Sequence, residues 1–83
     1  MSVLPKRLRT YIEEHTKKGS KMRKNLEEFL YRILVDGKVR ARDVRSMSIK
    51  YHVAKMKRLG LLTTVKIDGI TYIVISPEVL REI

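Results

Sequence analysis

Eighty-three residues carry 19 Lys and Arg against 9 Asp and Glu, a net charge of +10, which suits one hydrophobic core and a polyanionic rather than a basic partner. The absence of cysteine excludes disulfides and thiolate metal sites, and the two histidines, His15 and His52, cannot hold zinc by themselves. No apolar run reaches the ~20 residues that span a bilayer and no signal-peptide pattern opens the sequence, so a cytoplasmic protein with no membrane partner is expected.

Leu4, Leu8, Tyr11 and Ile12 recur at helical spacing and predict a helix from about Pro5 to Lys18, with Gly19 at its stop. Ser20 is suited to cap a second helix, in which Met22, Leu26, Phe29, Leu30, Ile33 and Leu34 form the strongest amphipathic pattern of the chain, ending near Asp36 and Gly37. A short extended piece from Lys38 to Arg40 leads into a brief helix over Ala41 to Met47 that turns Val44 and Met47 inward. Ser48 then caps a helix through Leu59, with Ile49, Val53, Met56 and Leu59 as one apolar stripe and Gly60 at the stop. Two short helices with almost nothing between them read as a helix-turn-helix.

The period then becomes extended. Residues 62 to 67 and 70 to 75 are rich in β-branched side chains and flank Asp68-Gly69, which predicts a two-stranded hairpin pairing Val65 with Tyr72 and Ile67 with Ile70. Ser76 as cap and Pro77 as first residue open a closing helix through Leu80 toward the end. No repeat or linker divides the chain, so the expectation is a single α+β domain, mostly helical. Within it, residues 1–19 are an N-terminal helix extension, 20–60 a three-helix core, 61–75 the hairpin and 76–83 a C-terminal helix.

Charge is unevenly placed. Residues 38 to 58 hold eight cations, Lys38, Arg40, Arg42, Arg45, Lys50, Lys55, Lys57 and Arg58, against Asp43 alone, a net of +7 out of +10. A charge run is often only a solvated face, but one this poor in acids is the footprint expected for binding a polyanion.

The stretch Ile49 to Leu62, with apolar residues at 49, 53, 56 and 59 followed by Gly60-Leu61-Leu62, resembles the recognition helix of the winged helix-turn-helix DNA-binding superfamily. Residues 20 to 76 are similar in style to small archaeal and prokaryotic transcriptional regulators of the arsenic-repressor and multiple-antibiotic-resistance-regulator families. Met47-Ser48 leaves a shorter turn than those families use, and their cysteine and histidine clusters are missing. Metal sensing is therefore not carried over, and no cofactor or small-molecule ligand is expected.

The resemblance implies that the helix over 48–59 enters the major groove of double-stranded DNA. At about 100° per residue, Tyr51, Ala54 and Arg58 lie opposite the apolar stripe, flanked by Lys50 and Lys55. Ala54 lets the helix approach, while Lys50 and Tyr51 near its amino end are placed to reach base edges, and Ser48 is a further DNA contact. Arg40, Arg42 and Arg45 are candidate phosphate clamps, and Lys66 near the hairpin tip is a further contact. Blander readings stand beside these: helix propensity for Ala54, a partly packed aromatic for Tyr51, solubilising charge for the lysines, and a half-buried structural role for His52. The stripe of Leu4, Leu8, Tyr11 and Ile12 serves either a homodimer or the chain's own core.

The functional expectation is a sequence-specific transcriptional regulator. The alternatives are a non-specific architectural DNA-binding protein, a basic RNA-binding or ribosomal winged helix protein, and a protein-interaction module with an acidic partner. An enzyme is not expected, because the sequence offers neither a nucleophile paired with a base nor a glycine-rich phosphate loop. Asn25 is the only side-chain amide and Gln is absent, a bias associated with hyperthermophilic sources.

Overall fold

The computed structural model describes residues 4–81, which form four helices and a three-stranded antiparallel sheet. In chain order these are α1 Lys6–His15, α2 Lys21–Asp36, β1 Val39–Arg40, α3 Met47–Arg58, β2 Leu62–Ile67, β3 Ile70–Ile75 and α4 Pro77–Leu80.

The α2 helix follows its local signals. The Ser20 Oγ accepts a hydrogen bond from the Arg23 backbone N–H at 3.1 Å, satisfying a first-turn donor. Leu26, Leu30 and Ile33 bury one face, with Met22, Phe29 and Leu34 packed against the same core. Gly37 ends the helix at φ 85°, a backbone region that strains any side chain.

The α1 helix stops at His15, short of the expected Lys18, because Thr16 turns extended at φ −136°, ψ 152°. The Thr16 hydroxyl donates to the Ile12 carbonyl, and the Arg23 guanidinium donates to the Thr16 carbonyl at 2.8 Å and to its hydroxyl at 2.9 Å. Arg23 thus ties the start of α2 to the end of α1, a role its position on a polar helix edge did not announce. Leu4, Leu8, Tyr11 and Ile12 are all buried in the chain's own core, where α1 meets α2 and α4. This corrects the dimer reading of that stripe: apolar area already removed from water inside one chain is not available to a second.

The segment after β1 differs from expectation. In place of a helix to Met47 there is a single 3-10 turn, Ala41–Asp43, after which Val44 is extended (φ −82°, ψ 104°). Ser46, not Ser48, caps α3, its Oγ accepting from the Ile49 N–H at 3.3 Å. Met47 becomes the first residue of α3, nine residues or about two and a half turns from the buried Met56, and therefore faces outward, 76 % exposed. The apolar stripe also ends earlier than predicted. Leu59 is 56 % exposed, and the buried residue is Leu61, whose N–H bonds the Met56 carbonyl at 2.9 Å while the Gly60 N–H bonds that of Lys57. That pair of bonds, with Gly60 at φ 77°, is a Schellman ending, in which the residue after the glycine turns back onto the helix.

The hairpin has the predicted register, with Val65 opposite Tyr72 and Ile67 opposite Ile70. Asp68 (φ 51°) and Gly69 (φ 80°) both take the left-handed conformation that a tight two-residue turn requires. The sheet gains a third strand: Val39 and Arg40 pair with Ile73 and Tyr72, giving the order β1-β3-β2. Pleating puts Leu62, Ile73 and Ile75 toward the core, with Thr64, Lys66 and Thr71 on that same face nearer the tip. The opposite face keeps Val65 and Ile67 exposed.

The closing helix α4 starts at Pro77 as expected, but the Ser76 side chain does not cap it. Ser76 is buried and its N–H bonds the Leu61 carbonyl at 3.1 Å, which fastens the chain after β3 to the end of α3. The helix ends at Leu80, and the remainder of the predicted extension falls on residues 82 and 83, outside the described residues. No helix among the described residues is long and apolar enough to cross a membrane.

Candidate nucleic-acid interface

The α3 helix buries Ile49, His52, Val53 and Met56, and this fixes the direction of every other side chain along it. Opposite the buried stripe lie Met47, Tyr51, Ala54 and Arg58, all exposed. Lys50 and Lys57 flank them on the side of the hairpin, where they line a groove with Val53, Ala54, Thr64 and Thr71. Ser48 and Lys55 flank them on the other side; Ser48 borders a shallow depression with Met22, Met47, Tyr51 and His52. No acidic residue occurs between Met47 and Arg58, so every charge on this outer surface is positive.

The structure therefore brings Lys50, Ala54 and the hairpin together and adds residues the sequence reading left out. Lys57 stands one turn from the Lys50–Ala54 pair in the same groove, a position that helical spacing alone would have revealed. Thr64 and Thr71 enter through the pleat of the hairpin, and Lys66, opposite Thr71, lies on that groove-facing side. Met47, expected inside, belongs instead to the outer face.

The arginines separate. Arg40 pairs with Tyr72 in the sheet and so starts from the face opposite Lys66. Arg40 and Arg45 line a second groove with Phe29, Asp36, Asp43 and Tyr72, where two carboxylates temper the local charge. Arg42, on the 3-10 turn, is exposed and lines neither groove. Two cations rest on aromatic rings: Lys55 Nζ lies 5.8 Å from the Tyr51 centroid and Lys38 Nζ 5.3 Å from that of Tyr72.

The orientation of α3 is held from behind by a buried polar contact. The Tyr11 hydroxyl of α1 and His52 Nδ1 of α3 share a buried hydrogen bond at 2.7 Å, its direction set by the His52 tautomer. His15 stacks on the Tyr11 ring at 4.0 Å, its Nδ1–H donating to the Tyr11 carbonyl, and Tyr51 meets the His52 ring edge-on at 5.2 Å. His52 is 7 % exposed, more enclosed than a half-buried position. Burial pushes the Tyr11 phenol up, with Tyr51 adding to it and Arg58 opposing, so the phenol stays protonated.

Burial likewise pushes the His52 imidazole below its ordinary range, with His15 and Lys55 adding to the effect. The unfolded chain then takes up the proton first. The stability that His52 contributes is present above about pH 6.5 and is lost as pH falls through that value toward the folded-state pKa. In thermal melts the Tm of the natural protein should drop more steeply between about pH 7.5 and 5 than that of His52→Asn, whose amide can hydrogen-bond Tyr11 as donor or acceptor without titrating. Parallel pH profiles for the two proteins would show that His52 is not desolvated in the fold.

Comparison of the chain with protein-family models, with curated proteins and with solved structures finds no match.

Proposed function

We propose that the chain is a winged helix-turn-helix protein that binds double-stranded DNA by sequence and acts as a transcriptional regulator, with α3 as the recognition helix and the β2–β3 hairpin as the wing. The observation that carries this reading is the outer face of α3: Lys50, Lys55, Lys57 and Arg58 surround Ala54 with no acid between Met47 and Arg58. A helix about 10–12 Å across fits a major groove about 12 Å wide, and the small Ala54 permits close approach. The amino-terminal turns of α3, with Lys50 and Tyr51, then meet base edges. Arg42 and Arg45, before the helix, and Lys66, on the groove-facing side of the wing, meet phosphates.

Selection of bound fragments from a random duplex pool, with an RNA pool as control, tests the reading: a recovered consensus in DNA supports it, and retention of RNA alone overturns it. Variants then separate positioning from reading. Arg42→Ala and Arg45→Ala should weaken all duplexes about equally. Lys50→Ala and Tyr51→Ala should change the preference among sequences, by about 1–3 kcal/mol at the affected base pair. Competition binding on a selected site and its point variants measures both; uniform losses for all four would make the protein an architectural DNA binder.

A further inference from the structure

The outer face of α3 is limited in what it can recognise. In the major groove adenine is read best by Asn or Gln, cytosine by Asp or Glu, guanine by Arg or Lys, and thymine through apolar contact with its 5-methyl group. The only side-chain amide in the chain, Asn25, lies on α2, and α3 carries no carboxylate or amide at all. The strongest readers of adenine and of cytosine are therefore missing from this helix, and Ser48 offers only a single hydroxyl that does not discriminate between bases. What it does present at its amino end is apolar: Met47 is 76 % exposed and Tyr51, one turn later, 57 % exposed, with Ala54 following on the same face. Together with Met22, Ser48 and His52, Met47 and Tyr51 line a shallow depression.

A flexible thioether and an aromatic ring held open to water at the start of a helix are suited to taking up an apolar group brought by a partner. The ring of charge around them says which kind of partner. Lys50, Lys55 and Arg58 surround the patch without a compensating acid on α3, which favours a polyanion carrying small apolar groups. DNA is such a molecule, because each thymine projects one methyl into the major groove between two phosphate strands.

Resting on the DNA-binding reading above, we propose that α3 selects its sites chiefly through thymine methyl groups, received by Met47, Tyr51 and Ala54, with Lys50 and Arg58 restricted to guanine. The preferred half-site is accordingly built from T·A and G·C pairs whose thymine methyls and guanine edges face α3.

The test uses the full chain and a duplex recovered by selection, in which single thymines are replaced by deoxyuridine. This removes the methyl and leaves every base-pairing and groove hydrogen-bond group in place. Each contacted position should lose about fourfold in affinity, the amount expected for one buried methyl-sized group. Thymines in the flanks should lose nothing. Met47→Ala should bind the thymine and deoxyuridine duplexes alike at the position it reads, and Tyr51→Ala should do so at a neighbouring one. Both residues are exposed, so unchanged melting temperatures would show that the variants fold. If the selected duplex binds tightly but is indifferent to deoxyuridine at every position, the methyl inference is overturned while DNA binding stands. If no duplex is retained and an acidic peptide carrying apolar side chains binds instead, with Met47→Ala weakening that binding, the face belongs to an acidic protein and both readings fail.

Discussion

Affinity for duplex DNA should fall steeply as salt is raised, with a slope of log affinity against log salt of magnitude about 4 to 8. The number follows from the exposed or part-exposed cations on α3, on the wing and on the segment before the helix: Lys50, Lys55, Lys57, Arg58, Lys66, Arg42 and Arg45 can each displace condensed counterions. A fourfold rise in salt then weakens binding by roughly 10²- to 10⁵-fold, a larger effect than any single substitution on this surface. Arg40 is left out because the sheet starts it from the opposite face. Its replacement by Ala should leave the slope nearly unchanged, whereas Lys57→Ala should lower the magnitude by about one. Titrations at several salt concentrations measure both, and a flat response for the natural protein would show that the basic face does not meet phosphate.

The second large effect is on stability. Leu8 is fully buried between α1 and the rest of the core, so Leu8→Ala should cost about 2–5 kcal/mol, through lost transfer energy and the cavity left behind. For a domain of this size each kcal/mol lowers Tm by roughly 4–8 °C, so the variant should melt well below the natural protein. Deleting residues 1–19 removes Leu4, Leu8, Tyr11 and Ile12 together and strips His52 of its Tyr11 partner. Net stabilities of single domains are about 5–15 kcal/mol, so the truncated chain should show no cooperative melt. A truncated protein that melted cooperatively near the natural Tm would mean that α1 is not part of the core.

Much of the fold was legible because its signals are local. Ser20 ahead of an amphipathic run, Gly37 after it, and Asp68-Gly69 between two β-branched segments each act through hydrogen bonds or φ angles within a few residues, and each appears where the sequence placed it. The core face of α3 was readable for the same reason, since Ile49, Val53 and Met56 recur at helical spacing whatever surrounds them. From that face the outward direction of Lys50, Tyr51, Ala54 and Arg58 followed by geometry alone.

What sequence could not decide was every choice between equivalent local signals. Ser46 and Ser48 are both competent caps two residues apart; burying Val44 and Ile49 in one core requires the chain to run extended through Val44 and Ser46, so Ser46 caps and Met47 turns outward. The stripe on α1 suited a second copy or its own chain equally well until α2 and α4 covered it. Val39 and Arg40 became a strand only because β3 offered them an open edge, and that pairing set Arg40 apart from Lys66. Tyr11 and His52, 41 positions apart, carry no mark of one another in the sequence. Periodicity, caps and turns are properties of neighbours along the chain, whereas burial and partnership depend on which distant surfaces arrive to exclude water, and that is settled only when the whole chain has packed.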